Sequence, residues 1–324
     1  MFEPTHTMVR RWWFIEIISC YRLTAPVRRC QSAAMKKESF ILEETPSLDN
    51  PVLIAGFEGW GNALSVAVRM IDELCKRLDA KPMGHLKADR FYRYDETRPT
   101  IQIQDGRAKS LAMPGGKLYF AANGANRPDL ILLRADEPAL HWRKFSDDLL
   151  DLCDRFEVSQ LITLGSMVDQ VLHTEQIISA AASEEALLST LKGIKVKPIN
   201  YEGPGAIHSL IQVEAPRRNI ACVSLWCHCP YYLQDTVHFG FLVKLGQVLS
   251  RLIGLTLDFS DLERRWHTLC RRIETLIQDN TKLQAEIERL RQQRPVAVIK
   301  GQSPPSAGGN VIQLNDFIRP DSSE

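Results

Sequence analysis

Hydrophobic residues along the middle of the chain come in two rhythms. Pro51-Val52-Leu53-Ile54-Ala55-Gly56-Phe57 is a short apolar run closed by glycine, the pattern of a strand buried on both faces. Across residues 62–78 the period lengthens, and Leu64, Val68, Ile71, Leu74, Cys75 and Leu78 fall on one helical face. Residues 101–104 and 117–121 predict strands that bracket the turn Pro114-Gly115-Gly116. Further strands are predicted at residues 129–134, 160–164 and 220–226, and helices at 139–156, 183–191, 205–213 and 236–253. Strand and helix alternating at these lengths predict an α/β domain over residues 36–258, with a mostly parallel sheet flanked by helices.

Past residue 258 the rhythm changes again. Leu262, Leu269, Leu276, Leu283 and Leu290 stand seven residues apart, and Trp266, Ile273, Asn280 and Ile287 fall between them at heptad spacing. Leucine at d with mostly Ile at a predicts an unbroken coiled-coil helix over residues 259–293. Asn280 takes an a position, where an amide facing a partner amide specifies register and two strands. The residues expected to mediate oligomerisation are Leu269, Ile273, Leu276, Asn280, Leu283, Ile287 and Leu290. Flanking charges help only in part. Glu286 is placed to reach Arg291 of a parallel partner, whereas Arg272 faces Ile277 and Arg265 faces Cys270. Ile277 widens the apolar face, so the alternative is that residues 262–276 pack on the α/β core and only the later heptads project.

The ends differ in composition. Pro295, Pro304-Pro305 and Gly308-Gly309 predict a disordered tail over 294–324, with a small apolar island at 311–318. Near the start, Arg10-Arg11 precede an apolar run that mimics a signal sequence, but the run is short and Glu16 interrupts it. Met35-Lys36-Lys37 reads as a protein start, so residues 1–35 are expected to be a disordered or spurious extension.

Overall composition adds mainly exclusions. With a net charge of +1, no field points to nucleic acid or an anionic membrane, and no apolar run is long enough to span a bilayer. The 8 cysteines are scattered without a framework, which fits reduced thiols in a cytoplasmic protein.

Four clusters are candidates for chemistry. In Gly56-Phe57-Glu58-Gly59-Trp60-Gly61-Asn62, backbone N–H groups at a helix start can cradle an anion. The cluster lacks the Gly-Lys-Ser/Thr ending of a P-loop, and its bland reading is a tight turn with Trp60 plugging the core. The segment Gly165-Ser166 to His173-Thr174-Glu175 predicts a long loop at a strand's carboxyl end, where open α/β sheets bind ligands. There His173 and Glu175 can form an acid–base pair, while Ser166 lacks the turn of a nucleophile elbow. Candidate ligand-binding residues are therefore Gly56, Gly59, Gly61, Gly165, Ser166, His173 and Glu175. Cys227-His228-Cys229 suggests zinc, but neighbours on an extended chain point to opposite faces, so no metal and no cofactor are expected. Glu202-Gly203-Pro204-Gly205 reads as a turn into a helix, with His208 structural.

In order along the chain, Gly56-Phe57-Glu58-Gly59-Trp60-Gly61-Asn62-Ala63, Leu164-Gly165-Ser166, Val171-Leu172-His173-Thr174, Gly203-Pro204-Gly205-Ala206-Ile207, Ser224-Leu225-Trp226 and Cys229-Pro230-Tyr231-Tyr232 resemble the PAC2 family, the proteasome-assembly-chaperone-like proteins. The resemblance runs from about residue 51 to 276. It implies a fold similar to the nucleoside-phosphorylase-like one, self-association, and no catalytic residues to carry over. It also implies proteasome binding in some relatives through a C-terminal hydrophobic–Tyr–any motif; this chain ends instead in Asp321-Ser322-Ser323-Glu324. The expected function is a non-catalytic assembly or interaction protein, homo-oligomeric, without nucleic-acid or membrane partners. The alternative is a protein or enzyme binding a nucleoside- or phosphate-type molecule at the two glycine-bearing loops.

Overall fold

The chain enters its main sheet through β1 (Phe40–Leu42) and β2 (Val52–Glu58), and α1 (Val66–Arg77) follows after a short 3-10 turn. Next come β3 (Lys81–Leu86), the pair β4 (Thr100–Gln104) and β5 (Arg107–Ala112), β6 (Gly116–Ala121), β7 (Leu130–Asp136) and α2 (Trp142–Arg155). The second half contributes β8 (Gln160–Asp169), β9 (Ile178–Ala182), α3 (Glu185–Gly193), β10 (Lys197–Pro198), α4 (Ile207–Glu214), β11 (Ala221–Pro230) and α5 (Phe239–Ile253). Two helices close the described residues, α6 (Ser260–Asp279) and α7 (Thr281–Gln292). This computed structural model describes residues 39–124, 127–233 and 236–292. The extension expected over 1–35, the tail over 294–324 and its apolar island lie outside the described residues.

Among the described residues, nine strands form one sheet in the order β1-β3-β6-β7-β2-β8-β11-β9-β10. Its centre, β7-β2-β8-β11, is parallel, whereas β1, β3 and β6 add on antiparallel and β9 runs antiparallel to β11. The sheet is thus more mixed than the alternation of elements predicted. The strand period of two divides β2 between two cores. Val52 and Ile54 face α1 and α5, while Leu53, Ala55 and Phe57 face α2 and α4. Covering both faces is what makes the central strands read as continuous apolar runs.

Three local expectations are corrected. First, β4 pairs with β5 and not across the Pro114 turn. The turn is Asp105-Gly106, both at positive φ (50° and 71°), the backbone demanded by a two-residue hairpin whose twist matches its strands. Second, β8 does not stop at Gly165 but continues to Asp169, so much of the expected loop is strand. Third, β11 extends through Cys227-His228-Cys229. Cys227 and Cys229 point into the α5 side, and His228 bonds toward the opposite face.

The expected uninterrupted heptad helix is also corrected. At Asn280 the backbone leaves the helix (φ −126°, ψ 104°). The Asn280 carbonyl accepts from Gln284 N at 2.9 Å, and its side-chain Oδ1 accepts from Leu283 N at 3.1 Å. That is an N-cap, so the amide starts α7. The helix pair then closes on the domain. Ile273, Leu283, Ile287 and Leu290 are buried together with Tyr232 and Leu233. Earlier in the seam, Leu262 joins the α1–α5 core, and Trp266 stacks on His238 at 4.3 Å. Glu286, expected to reach a partner's Arg291, pairs within α7 with Arg289 and accepts from the Tyr231 hydroxyl.

Candidate functional site

At the carboxyl end of β2 the chain must turn sharply into α1. Leu64 and Ser65 take left-handed backbone conformations (φ 54° each), which cost non-glycine residues strain. Two side chains hold the turn. Asn62 Oδ1 accepts from Ala67 N at 2.8 Å, and the Ser166 hydroxyl donates to Ala63 O at 2.8 Å. Ser166 therefore serves the backbone of the turn, and its N–H is given to Gly61 O at 2.8 Å.

The glycines of the two candidate loops make room for the protein's own groups. A Cβ on Gly56 would lie 2.8 Å from Ile71 and 2.9 Å from the Ala67 carbonyl, so this glycine lets α1 approach the sheet. A Cβ on Gly165 would lie 2.8 Å from the ring of Trp226, directly opposite it on β11, and one on Gly61 would lie 3.1 Å from the same ring. Trp226, not the exposed Trp60, is the tryptophan that plugs this region, and His208 packs on it at 4.9 Å. Burial pulls the His208 imidazole down to about 4, only partly offset by its hydrogen bond to Leu164 O. At 1% exposure it lies between Phe57 and Trp226, inside the packing and away from solvent.

Glu137, which sequence reasoning missed, accepts from one backbone N–H of the glycine cluster and from one at the start of α4. Its Oε1 accepts from Ile207 N, the first residue of α4, at 2.8 Å, and its Oε2 accepts from Trp60 N at 3.3 Å. Donors at a helix start and a glycine turn attract negative charge, and an internal carboxylate supplies it. Beside Glu137 a shallow groove of about 420 Å³ at the ends of β2 and β7 is lined by Glu58, Asp136, Thr97 and Trp142. Its carboxylates would repel a phosphate. The one signal in the sequence was Asp136-Glu137-Pro138 at a strand's carboxyl end.

The two ring nitrogens of His173 do not bond Glu175: Nδ1 faces Tyr232, and Nε2 has no hydrogen-bond partner among the described residues. Glu175 Oε2 accepts from Leu172 N at 2.9 Å. His173 Nδ1 lies 2.9 Å from the Tyr232 hydroxyl, which also accepts the His173 backbone N–H at 2.7 Å. Burial pushes the His173 imidazole down, against the nearby Glu274 carboxylate, which raises it.

A second unforeseen arrangement links Asp169, His228 and Ser179. Asp169 Oδ2 lies 2.8 Å from His228 Nδ1, and His228 Nε2 lies 2.8 Å from Ser179 Oγ. The connectivity is that of a serine-nucleophile triad. Ser179, however, is buried in the sheet at 3% exposure, on a strand two removed from Asp169's, where no acyl group can reach it. Burial raises the Asp169 carboxyl, and bonds from His228 and Gln170 N outweigh it and hold the carboxyl below its ordinary value. The relay clamps β8, β11 and β9 together. Neighbours on β8 and β11, and on β9 and β11, are far apart in sequence, which hid it.

Fold and site together define an α/β protein whose candidate groups are turned inward, onto its own backbone and aromatic rings. The chain belongs to the PAC2 family, whose family model matches residues 53–277. No protein of curated function matches it in sequence. Among solved structures, a PAC2 family protein from Streptomyces avermitilis is 25% identical, with a TM-score of 0.65 over 73% of this chain and 99% of that one. A Mycobacterium tuberculosis proteasome-assembly chaperone homologue is 24% identical, with a TM-score of 0.67 over 73% of this chain and 99% of that one. The archaeal proteasome activator of Pyrococcus furiosus has the same fold at 19% identity, with a TM-score of 0.59 over 73% of this chain and 97% of that one. No described helix is long and apolar enough to cross a membrane.

Proposed function

We propose that this chain is a non-catalytic, assembly-chaperone-like protein that works in the cytoplasm by self-associating and binding other proteins. The observation that carries this reading is the β4–β5 hairpin. It stands apart from the main sheet, and every residue in it is exposed. Its apolar side chains are not turned to a core: Ile101 is 53% exposed, Ile103 62% and Leu111 59%, with Ile101 directly opposite Leu111. A two-stranded ribbon is marginal in water by itself, and an apolar face on one marks a protein contact. Both strands are also free edges, ready to pair with another chain.

Two further features support the reading. Relatives include proteins described as proteasome-assembly chaperone homologues. Each described cysteine is a free thiol, in keeping with a reducing compartment. Self-association through the heptad residues would need α6 and α7 to open, because Ile273, Leu283, Ile287 and Leu290 are covered by the chain itself. At about 1.5–3 kcal/mol for each buried aliphatic side chain, that opening is costly. The hairpin offers contact without it.

Charged substitutions test the proposal. Ile101→Lys with Ile103→Lys alters only exposed positions and leaves stability within about 0.5 kcal/mol. Sedimentation velocity is expected to show loss of the oligomer, and affinity capture from the native host is expected to lose the wild-type partners. Unchanged mass together with unchanged partners would overturn it.

A further inference from the structure

The loop after β8 and the outer part of α6 bring together His173, Cys270 and Glu274, with the Cys270 thiol 3.9 Å from a Glu274 carboxylate oxygen. His173 is 4% exposed. The Tyr232 hydroxyl oxygen takes its backbone N–H and lies 2.9 Å from Nδ1; when the ring proton is on Nδ1 the oxygen accepts it and the Nε2 lone pair is free. Nε2 is buried and has no hydrogen-bond partner among the described residues. Cys270 and Glu274 stand one turn apart on α6, which puts both on the same helical face. One ligand atom from each of His173, Cys270 and Glu274 lies within 4.8 Å of the others.

We propose that His173 Nε2, Cys270 Sγ and the Glu274 carboxylate bind a zinc-class divalent transition metal ion that pins α6 to the β8–β9 loop. One nitrogen, one sulfur and one oxygen form a set that selects zinc or cobalt over magnesium or calcium. Tetrahedral ligands stand about 3.5 Å apart, so closing the site needs a shift of about 1 Å. The exposed Glu274 and half-buried Cys270 can make it. Tyr232 is the outer partner that such a histidine needs: it holds the ring's orientation, and its oxygen can accept the Nδ1 proton while Nε2 binds the ion. Three protein ligands leave the fourth position to water. Binding displaces the Cys270 proton, which burial and the Glu274 carboxylate otherwise hold on the thiol.

The test is a cobalt(II) titration of chelator-treated full-length protein, followed in the near-ultraviolet thiolate-to-cobalt charge-transfer band and then by displacement with zinc. The expected result is saturation at one equivalent. Cys270→Ser should abolish the band, Glu274→Gln should weaken binding about tenfold, and Tyr232→Phe should weaken it by about 10- to 100-fold with the band's shape kept. Circular dichroism on each variant confirms that it is folded. Absence of the band at stoichiometric cobalt, or an equal band in Cys270→Ser from the other thiols, would overturn the proposal.

Discussion

Asn280 Oδ1 accepts the backbone N–H of Leu283 at 3.1 Å, and this bond begins a new helix where heptad spacing continues unbroken. An asparagine at an a position has two uses, and they differ in consequence. Facing a second asparagine, it selects a two-stranded coil. Capping its own chain, it lets the seam fold back.

The cap predicts the outcome of Asn280→Ala. Loss of the side-chain acceptor should lower stability by about 1 kcal/mol, read from urea denaturation, with no change in oligomeric mass. A variant of unchanged stability that forms larger or more heterogeneous assemblies would restore the interchain role of this residue.

Gly165 and Trp226 are expected to behave as one unit. An added Cβ would meet the indole at 2.8 Å, so Gly165→Ala should cost about 1–3 kcal/mol. Combined with Trp226→Leu, which removes the ring, the second substitution should add little. Strict additivity in the double-mutant cycle would mean that the ring and the glycine do not oppose each other.

Glu137 makes the anion-site question testable. In Glu137→Ala the Ile207 N–H loses its acceptor, at a cost of about 1–3 kcal/mol. Inorganic phosphate should leave the melting temperatures of the variant and the wild type unchanged, because Glu58 and Asp136 still line the groove. Equal stabilisation of both would place phosphate elsewhere.

Acid should destabilise the native state through two buried histidines. Burial lowers His208 and His238 from 6.5 to about 4 each, against smaller raising hydrogen bonds. Between pH 6.5 and 4 the unfolded chain therefore binds protons that the native chain does not, and stability falls as the pH falls. Each site contributes on the order of 3 kcal/mol, lost progressively below pH 6.5 and fully by about pH 4. Urea midpoints at pH 7 and pH 5 measure the slope, which should be shallower in His238→Gln.

Much of the main sheet was legible because burial on both faces writes itself into sequence as apolar runs such as residues 52–57. Resemblance at the same segments led to the correct family. The candidate site was less legible. Gly165 looks like the end of a strand, and only its neighbour Trp226, 61 positions on in the numbering, explains why glycine sits mid-strand. Glu137 was invisible as an anion because its donors come from α4 and the glycine turn, far away along the chain. The apolar hairpin was missed because its alternation was assigned across the wrong turn.

By itself the sequence determined which residues are apolar, at what period, and where strands, helices and turns can form. Those are local properties, set by backbone sterics and side-chain spacing. Tertiary structure alone decided what each apolar stripe meets. The seam over residues 262–290 satisfies a coiled coil and a helical hairpin equally well, because both bury the same side chains. In this fold Tyr232 and Leu233 pack against Ile273, Leu283, Ile287 and Leu290 within the same chain. The same holds for His173: its bonding to Tyr232, and its approach to Cys270 and Glu274, come from segments that meet only once the sheet has formed and α6 has packed against α5.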